Sequence, residues 1–363
     1  MHIFHIMLGR RLGGLERAFV TLSNELAANG HRVTCVVTPK SEITPELRGC
    51  HILELRNRNA YDPLAIVRLT SAIKRQRPDI LVTHGRRAAT LTYRANRLWR
   101  GGVLPGGHGL VAHLTFLHST SYAHLRLADH IIAVSIIMRA RAVNLGIAPT
   151  KISHVPNIVH TKASPLPARP ADTRPAIGFL GRFVEKKGVD CLLHASARLR
   201  AAGISHDLVL AGDGPLRGEL ERLAGALDLS DHVRFLGWVS DLAAFFSSID
   251  VLAVPSRVEP FGIVLLETFA YGRPVVATKT DGPYEVIEAE KSGLLVEIED
   301  IEGLAEALQR VLSDKTLAAQ LSAGGLSRLQ RYQPDTIVPQ IEAIFAACID
   351  EHRRQKNPVA DVH

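Results

Sequence analysis

The chain has 363 residues, with apolar (46%) and charged (22%) fractions ordinary for a soluble globular protein and a net charge of +7; at roughly 100–200 residues per domain, two domains with cores of normal size are expected. Four cysteines (Cys35, Cys50, Cys191, Cys348) lie far apart without a CxxC pair, which disfavours a disulfide framework or a structural zinc site and suits a reducing cytosol. The opening MHIFHIMLGRRLGG has no basic segment followed by a long apolar stretch, and no uncharged apolar run approaches ~18 residues, so neither a signal peptide nor a spanning helix is expected.

The charge is unevenly spread. Residues 1–160 hold 21 Lys and Arg against 8 Asp and Glu, and the remainder holds 22 against 28. One half therefore suits an anionic partner, with nucleic acid, anionic lipid and phosphorylated glycolipid all open, beside the plain alternative of a solvated basic surface. No zinc-finger, RRM-like or aromatic-interleaved basic motif supports nucleic acid.

Along the chain, residues 2–8 (HIFHIML) predict a short buried strand. A glycine turn and an amphipathic helix follow, ending near Asn29-Gly30. HRVTCVVTP and HILEL predict strands. Residues 62–76 predict a helix, with Asp62 as cap and Pro63 in the first turn. PDILVTHG is a strand, AATLTYRANRLW a helix, LVAHLTFLH a strand, YAHLRLA a short helix and HIIAVS a strand. Residues 161–175 (TKASPLPARPADTRP) lack an apolar period and predict a linker. The rhythm restarts with PAIGFLGR and runs through DCLLHASARLRAAG, HDLVLAGDG, LRGELERLAGALDL, VRFLGW, LAAFFSSI, DVLAVPS, GIVLLETFAYG, PVVAT, GLLVE and GLAEALQRVLSD. Strands alternating with helices imply right-handed crossovers and mainly parallel sheets covered on both faces. The expected fold class is α/β, with two doubly wound domains.

Ligands of such sheets bind at strand carboxyl ends, where helix N-termini present free N–H groups. Four motifs occupy such places. Gly13-Gly14-x-Glu16 follows the first strand and permits close backbone approach to a ligand, although it is not a GxGxxG fingerprint. LGRFVEKKG places Arg182 at a strand end and Lys187 before Gly188, two cations about one loop apart that suit a diphosphate. AGDGP (Ala211–Pro215), with Gly212, Asp213 and Gly214, predicts a tight turn lining a pocket floor. EPFGIVLLE puts Glu259 on a loop and Glu267 about one turn into the next helix, two acids suited to accepting bonds from sugar hydroxyls. Among 17 histidines, His84 and His118 close apparent strands; His108, His113 and His124 have no comparable placement.

The ordered set GGLER, VPNIV, LGRFVEKKG, AGDGP, VPSRVEPFGIVLLETFAYGRPVVAT and Gly-Pro-x-Glu-Val-Ile resembles the family-4 retaining glycosyltransferases over nearly the whole chain, most strongly from Gly178 to about Val296. That resemblance implies a GT-B fold, two Rossmann-like domains facing a cleft. Residues 1–165 would bind the acceptor and 174–335 the nucleotide sugar, with a helix over 336–352 crossing back onto the first domain. It implies Arg182 and Lys187 on the donor diphosphate, Glu259 on the transferred sugar, Phe261 and Gly262 offering backbone N–H groups, and Glu267 on the ribose. Gly14 would approach the donor phosphates, Gly212 would line the donor site, and His118 would face the transferred sugar, with His113 as the fallback. His84, Arg86 and Arg87 are acceptor-side candidates. No metal or other cofactor is expected: the Lys/Arg pair replaces a metal, and no Asp-x-Asp motif is present. One departure is that Asn157 is followed by Ile158-Val159, where the family has glycine.

Front-face transfer is expected, because no carboxylate in the set is placed as an opposite-face nucleophile. The donor would be a nucleotide sugar, with UDP-hexose, UDP-N-acetylhexosamine and GDP-mannose open and UDP favoured. Arg-rich stretches at 86–87, 94–100 and 139–141 suit an anionic envelope glycolipid such as lipopolysaccharide, or a saccharide acceptor, on the inner face of the cytoplasmic membrane. The rivals are a sugar-nucleotide epimerase of the same fold, which would turn over UDP-sugar without acceptor, and a non-catalytic nucleotide-sugar-binding regulator, which would bind without transfer.

Overall fold

A computed structural model describes residues 1–11, 13–100, 112–117, 124–159, 163–170 and 172–356, with the backbone alone at 99, 100, 112–116, 355 and 356. The chain divides into two compact units, Met1–His160 with Gln333–His363, and Thr161–Tyr332.

The first unit is built on seven strands: β1 (His2–Met7), β2 (Arg32–Val37), β3 (His51–Glu54), β4 (Ile80–His84), β5 (Ala112–Leu117), β6 (His130–Ala133) and β7 (Ile152–His154). All pair in parallel, in the order β3-β2-β1-β4-β5-β6-β7. Parallel strands covered on both faces need near-continuous apolar sequence, and Ile3, Phe4 and Ile6 of β1 and Ile80, Leu81 and Val82 of β4 are fully buried. Helices α1 (Gly14–Ala28), α2 (Pro63–Gln76), α3 (Gly85–Arg100) and α4 (Ile136–Asn144) provide the crossovers. Asp62 caps α2 by accepting from the N–H groups of Leu64 and Ala65 (3.1 and 3.3 Å), which closes off donors that the helix start would otherwise leave open. One core gathers Phe4, Ile6, Val36, Leu69, Ile73 and Leu81.

The second unit repeats the plan with six parallel strands: β8 (Ala176–Leu180), β9 (Asp207–Ala211), β10 (Val233–Gly237), β11 (Val251–Val254), β12 (Val275–Thr278) and β13 (Leu294–Val296), in the order β10-β9-β8-β11-β12-β13. Its helices are α5 (Val189–Ala201), α6 (Arg217–Ala226), α7 (Leu242–Ser247), α8 (Ile263–Ala270), α9 (Asp281–Val286), α10 (Ile301–Ser313) and α11 (Lys315–Leu329). The core joins Ile177, Leu193, Leu208, Leu210, Val251 and Leu308.

A last helix, α12 (Pro334–Lys356), belongs to the first unit. Its buried face carries Ile337, Val338, Ile341, Phe345 and Ile349. Glu342 fixes its register by accepting from Asn29 Nδ2 and pairing with His31 Nε2, each at 3.0 Å. No described helix is long and apolar enough to cross a membrane.

Candidate active site

In each sheet the strand order reverses at one place, between β1 and β4 and between β8 and β11. Open α/β sheets bind ligands outside the carboxyl ends of the strands at such points. In the second unit the loops leaving β8 and β11 carry most of the residues that the sequence singles out.

The β8 loop runs from Gly181 through a short 3-10 turn (Glu185–Lys187) to Gly188 and α5. Gly188 has φ +63°, and a Cβ there would stand 2.0 Å from the carbonyl oxygen of Pro255. No other residue type fits, and the close approach ties the β8 loop to the β11 loop. On the other side the β9 turn presses on the same segment. Gly212 has φ +139°, and a Cβ would lie 1.8 Å from Gly181 O. Gly212 N donates to Gly237 O (2.7 Å) and Phe183 N donates to Asp213 O (2.9 Å). AGDGP thus forms a backbone-to-backbone support beneath Gly181–Phe183.

The β11 loop holds Ser256, Arg257, Glu259, Phe261 and Gly262. Thr278 Oγ1 donates to Ser256 O (2.5 Å), and Gly282 N donates to Glu259 O (2.9 Å). Glu259 is 8% exposed, and its Oε2 accepts a hydrogen bond from Lys187 Nζ. Lys187 Cε also lies along Gly181. Arg182 is exposed and forms no ion pair with any described residue. Phe261 is buried, edge-on to Tyr332 with centroids 5.9 Å apart, so its ring serves the core and its backbone faces the start of α8. The N–H groups of Phe261 and Gly262 donate to no described residue. Glu267, on α8, is 8% exposed. Burial, and secondarily the nearby Glu267 carboxylate, pushes the Tyr271 phenol up.

Several members of this cluster lie outside the set of site residues expected from the sequence. Arg257 donates to both Asp190 oxygens (2.8 and 2.6 Å), to Glu299 Oε1 (2.6 Å) and to Glu185 O (2.9 Å). The guanidinium holds the Asp190 carboxyl below the usual range. Ser256 Oγ and Thr280 Oγ1 are buried without a hydrogen-bond partner. Buried hydroxyls are rarely left so, and these two sit in the loops around Glu259.

In the first unit, Gly14 opens α1 behind a turn in which Gly13 N donates to Glu16 Oε2 (3.2 Å). Burial, acting first, pushes the Glu16 carboxyl up. Arg86 and Arg87 are exposed in the first turn of α3. His84 is 3% exposed, and its Nε2 stands 2.6 Å from His5 Nε2, while His5 Nδ1 stands 2.7 Å from Ser23 Oγ. Ser23 Oγ donates to Phe19 O (2.8 Å). The hydroxyl therefore accepts from His5 Nδ1–H, and in the neutral pair His5 Nε2 accepts from His84 Nε2–H. That nitrogen of His84 serves an internal polar chain. His118 lies outside the described residues, as do His108 and the side chain of His113. His124 is described; burial, acting first, and then Arg86 lower its pKa. Among the described residues no group of three or more His, Cys, Asp or Glu side chains could hold a metal ion.

Residues 166–328 match the family of glycosyl transferases group 1, and residues 12–163 match glycosyltransferase family 4. The lipopolysaccharide core biosynthesis glycosyltransferase LpsE of Rhizobium meliloti is 32% identical over 336 residues, 90% of this chain and 93% of that protein. LpsD of the same organism is 31% identical over 341 residues, covering 91% and 93%. The crystal structure of Anabaena Alr3699/HepE in complex with UDP and glucose superposes with a TM-score of 0.80 at 20% identity, covering 96% of this chain and all of the other. The chain therefore belongs to the group 1, family-4 glycosyltransferases, retaining enzymes of the GT-B fold.

Proposed function

We propose that this enzyme transfers a hexose or N-acetylhexosamine from a UDP-sugar to a phosphorylated core glycolipid of the lipopolysaccharide type, working at the inner face of the cytoplasmic membrane. The observation that carries the donor half is the Lys187–Glu259 contact at the β8/β11 reversal, with Arg182 exposed on the same loop. A cation pair and a carboxylate brought to one strand edge suit a sugar diphosphate, the cations taking the phosphates and the acid taking hydroxyls of the sugar. Glu267 then serves the ribose, the N–H groups of Phe261 and Gly262 serve the sugar or phosphate, and Gly212 supports the floor. The family resemblance also assigns Gly14 to the donor phosphates and His118, or His113 in its place, to the transferred sugar; His118 and the His113 side chain lie outside the described residues.

The C1–O bond to the β-phosphate breaks as the acceptor oxygen bonds C1 from the same face, and the acceptor proton passes to the departing phosphate oxygen. Arg182 and Lys187 stabilise the charge that grows on that diphosphate, which accounts for a mechanism without a metal. UDP is favoured because UDP and glucose occupy the HepE structure. The acceptor is suggested by the lipopolysaccharide core biosynthesis roles of LpsE and LpsD and by the excess of Arg and Lys in residues 1–160. In this reading residues 1–165 and the helix at 336–352 take the acceptor, with His84, Arg86 and Arg87 on that side, and residues 174–335 take the donor.

The test is a panel of UDP-glucose, UDP-galactose, UDP-N-acetylglucosamine and GDP-mannose with purified core glycolipid, read by nucleotide release and thermal shift for wild type and Glu259→Ala. One UDP-sugar should stabilise the wild type and release UDP only with acceptor, and Glu259→Ala should lose both. UDP-sugar conversion without acceptor would point to an epimerase, and stabilisation without transfer to a regulator.

A further inference from the structure

We infer that Arg257 is a positioning residue that sets the Lys187 loop against the Glu259 loop. The inference rests on the donor-site reading above and deepens it. Arg257 stands two residues before Glu259, and its side chain is 23% exposed. The guanidinium reaches across to the β8 loop on both sides of Lys187. Ahead of it, Nη1 donates to Glu185 O at 2.9 Å. Behind it, Nη1 and Nη2 take the two Asp190 oxygens at 2.8 and 2.6 Å. Its main chain adds a third tie: the N–H groups of Arg257 and Val258 both donate to Lys186 O, at 2.9 and 3.2 Å. Nε meanwhile takes Glu299 Oε1 at 2.6 Å, fixing the guanidinium from its outer side.

No bond in this set goes to Lys187 or Glu259 themselves. Their separation is instead bracketed by contacts at 185 and 186 on the β8 loop and 190 in the first turn of α5, and at 257 and 258 on the other loop. A planar fork can satisfy two carboxylates and a carbonyl at once, whereas an ammonium on a flexible stem cannot hold that geometry. The Gly188–Pro255 approach brings the two loops together. The clamp supplies the register, and misplacement of a catalytic group by about 1 Å costs on the order of 10²-fold in turnover.

The experiment compares Arg257→Lys, Arg257→Ala and Asp190→Asn with Arg310→Ala. The last breaks an exposed two-bond pair with Glu290 elsewhere in the same unit. Each is measured for kcat, for donor KM, and for UDP affinity by calorimetry on protein shown folded by circular dichroism. Arg257→Lys and Asp190→Asn should keep the fold and UDP affinity within about threefold while kcat falls about 10–10²-fold. Arg310→Ala should leave all three unchanged. Wild-type kcat in Arg257→Lys, or a loss in every variant that only tracks the folded fraction, overturns the inference. Should Arg257→Ala fail to fold, Asp190→Asn and Arg257→Lys still decide it. Lys187→Ala separates the two levels. If it is inactive while the Arg257 variants are fully active, only the clamp falls; if it turns over like wild type, the donor-site reading falls first.

Discussion

The ammonium of Lys187 donates to Oε2 of Glu259, joining the loops after β8 and β11 across the point where the strand order reverses. Their side chains keep 20% and 10% exposure, so each carries much of the other's desolvation cost. Lys187→Met leaves a nearly buried carboxylate unpaired and should destabilise the enzyme by about 1–3 kcal/mol, below the cost for a fully buried pair because some water reaches the lysine. Lys187→Met/Glu259→Gln removes both charges and should recover most of the melting temperature. Turnover should fall ~10²–10³-fold in the single variant and stay low in the double. Differential scanning fluorimetry beside a UDP-release assay reads both effects. A double variant that regains activity together with stability would reduce the pair to a structural contact.

Gly212 is where one added methyl group should do most harm to the site floor. Its Cβ would stand 1.8 Å from Gly181 O at φ +139°, so strain and a backbone clash coincide. Gly203 is the matched control, with φ +81° but no neighbour within 4 Å. Gly203→Ala should cost about 1–2 kcal/mol from strain alone. Gly212→Ala should cost more than 3 kcal/mol, or displace Gly181–Phe183 and abolish donor binding. Urea midpoints of the two variants check this, and equal midpoints would mean that the β8 and β9 turns can move apart freely.

The doubly wound plan was legible because buried parallel strands demand apolar runs such as HIFHIM and DVLAV, and glycine or Asp-Pro signals mark where each one turns. Several elements with weak local signals escape that pattern, and α4 escapes it too despite its Ser135 cap. The β7 strand has only three residues. The α9 helix opens on Asp281-Gly282-Pro283, which spells a turn. The α11 helix carries Gly324-Gly325 in its middle, and Gly324 packs against Lys291 O while Gly325 packs against Phe269. Lys187 and Glu259 were visible as types at strand ends, since a lysine before glycine and a glutamate before proline are loop chemistry. Their mutual contact spans 72 positions, and no local pattern encodes it. Arg257 lies within VPSRVEPFG and Asp190 near the start of α5, but their pairing is invisible for the same reason: a surface-type arginine and a helix-start acid look ordinary until folding puts them face to face. His84 shows the converse, a strand-end polar residue whose burial against His5 the strand pattern did not signal.

His206 predicts a loss of stability on mild acidification. It is 1% exposed and its pKa is lowered chiefly by burial. Its Nδ1 lies 3.0 Å from Ile204 O and its Nε2 2.7 Å from Ser196 Oγ. The carbonyl can only accept, so Nδ1 carries the proton and the serine donates to Nε2. The folded state therefore resists protonation that the unfolded chain accepts from about pH 6.5 downward. Stability is full above that value and declines as pH falls toward the depressed folded pKa, because the unfolded state binds more protons in that window. His130 is lowered chiefly by the same cause and contributes with the same sign. Urea unfolding at pH 7.5 and 5.5 should show a clear loss for wild type and a smaller pH difference for His206→Asn, whose starting stability is lower. Identical pH differences in the two proteins would remove His206 from the explanation.

The basic first unit predicts salt-sensitive attachment to anionic lipid. On α3, Arg86, Arg87, Arg94 and Arg97 are exposed. Arg94 lies over the Tyr61 ring at 4.3 Å, and Arg97 donates to Tyr93 OH at 2.9 Å. Each arginine is thereby tied to a tyrosine, with less freedom left to lose on docking. An arginine near an anionic surface contributes about 1 kcal/mol. Arg94→Ala/Arg97→Ala should therefore weaken partition onto phosphatidylglycerol-containing vesicles about thirtyfold. Raising the salt toward 1 M contracts the screening length to about 3 Å and should release the wild type as well. Vesicle co-sedimentation across a salt series reads both. Equal sedimentation of wild type with neutral and anionic vesicles would leave the charge excess of residues 1–160 to the acceptor's own phosphates, a solvable distinction because soluble core oligosaccharide would then compete with the enzyme's activity and not with its membrane binding.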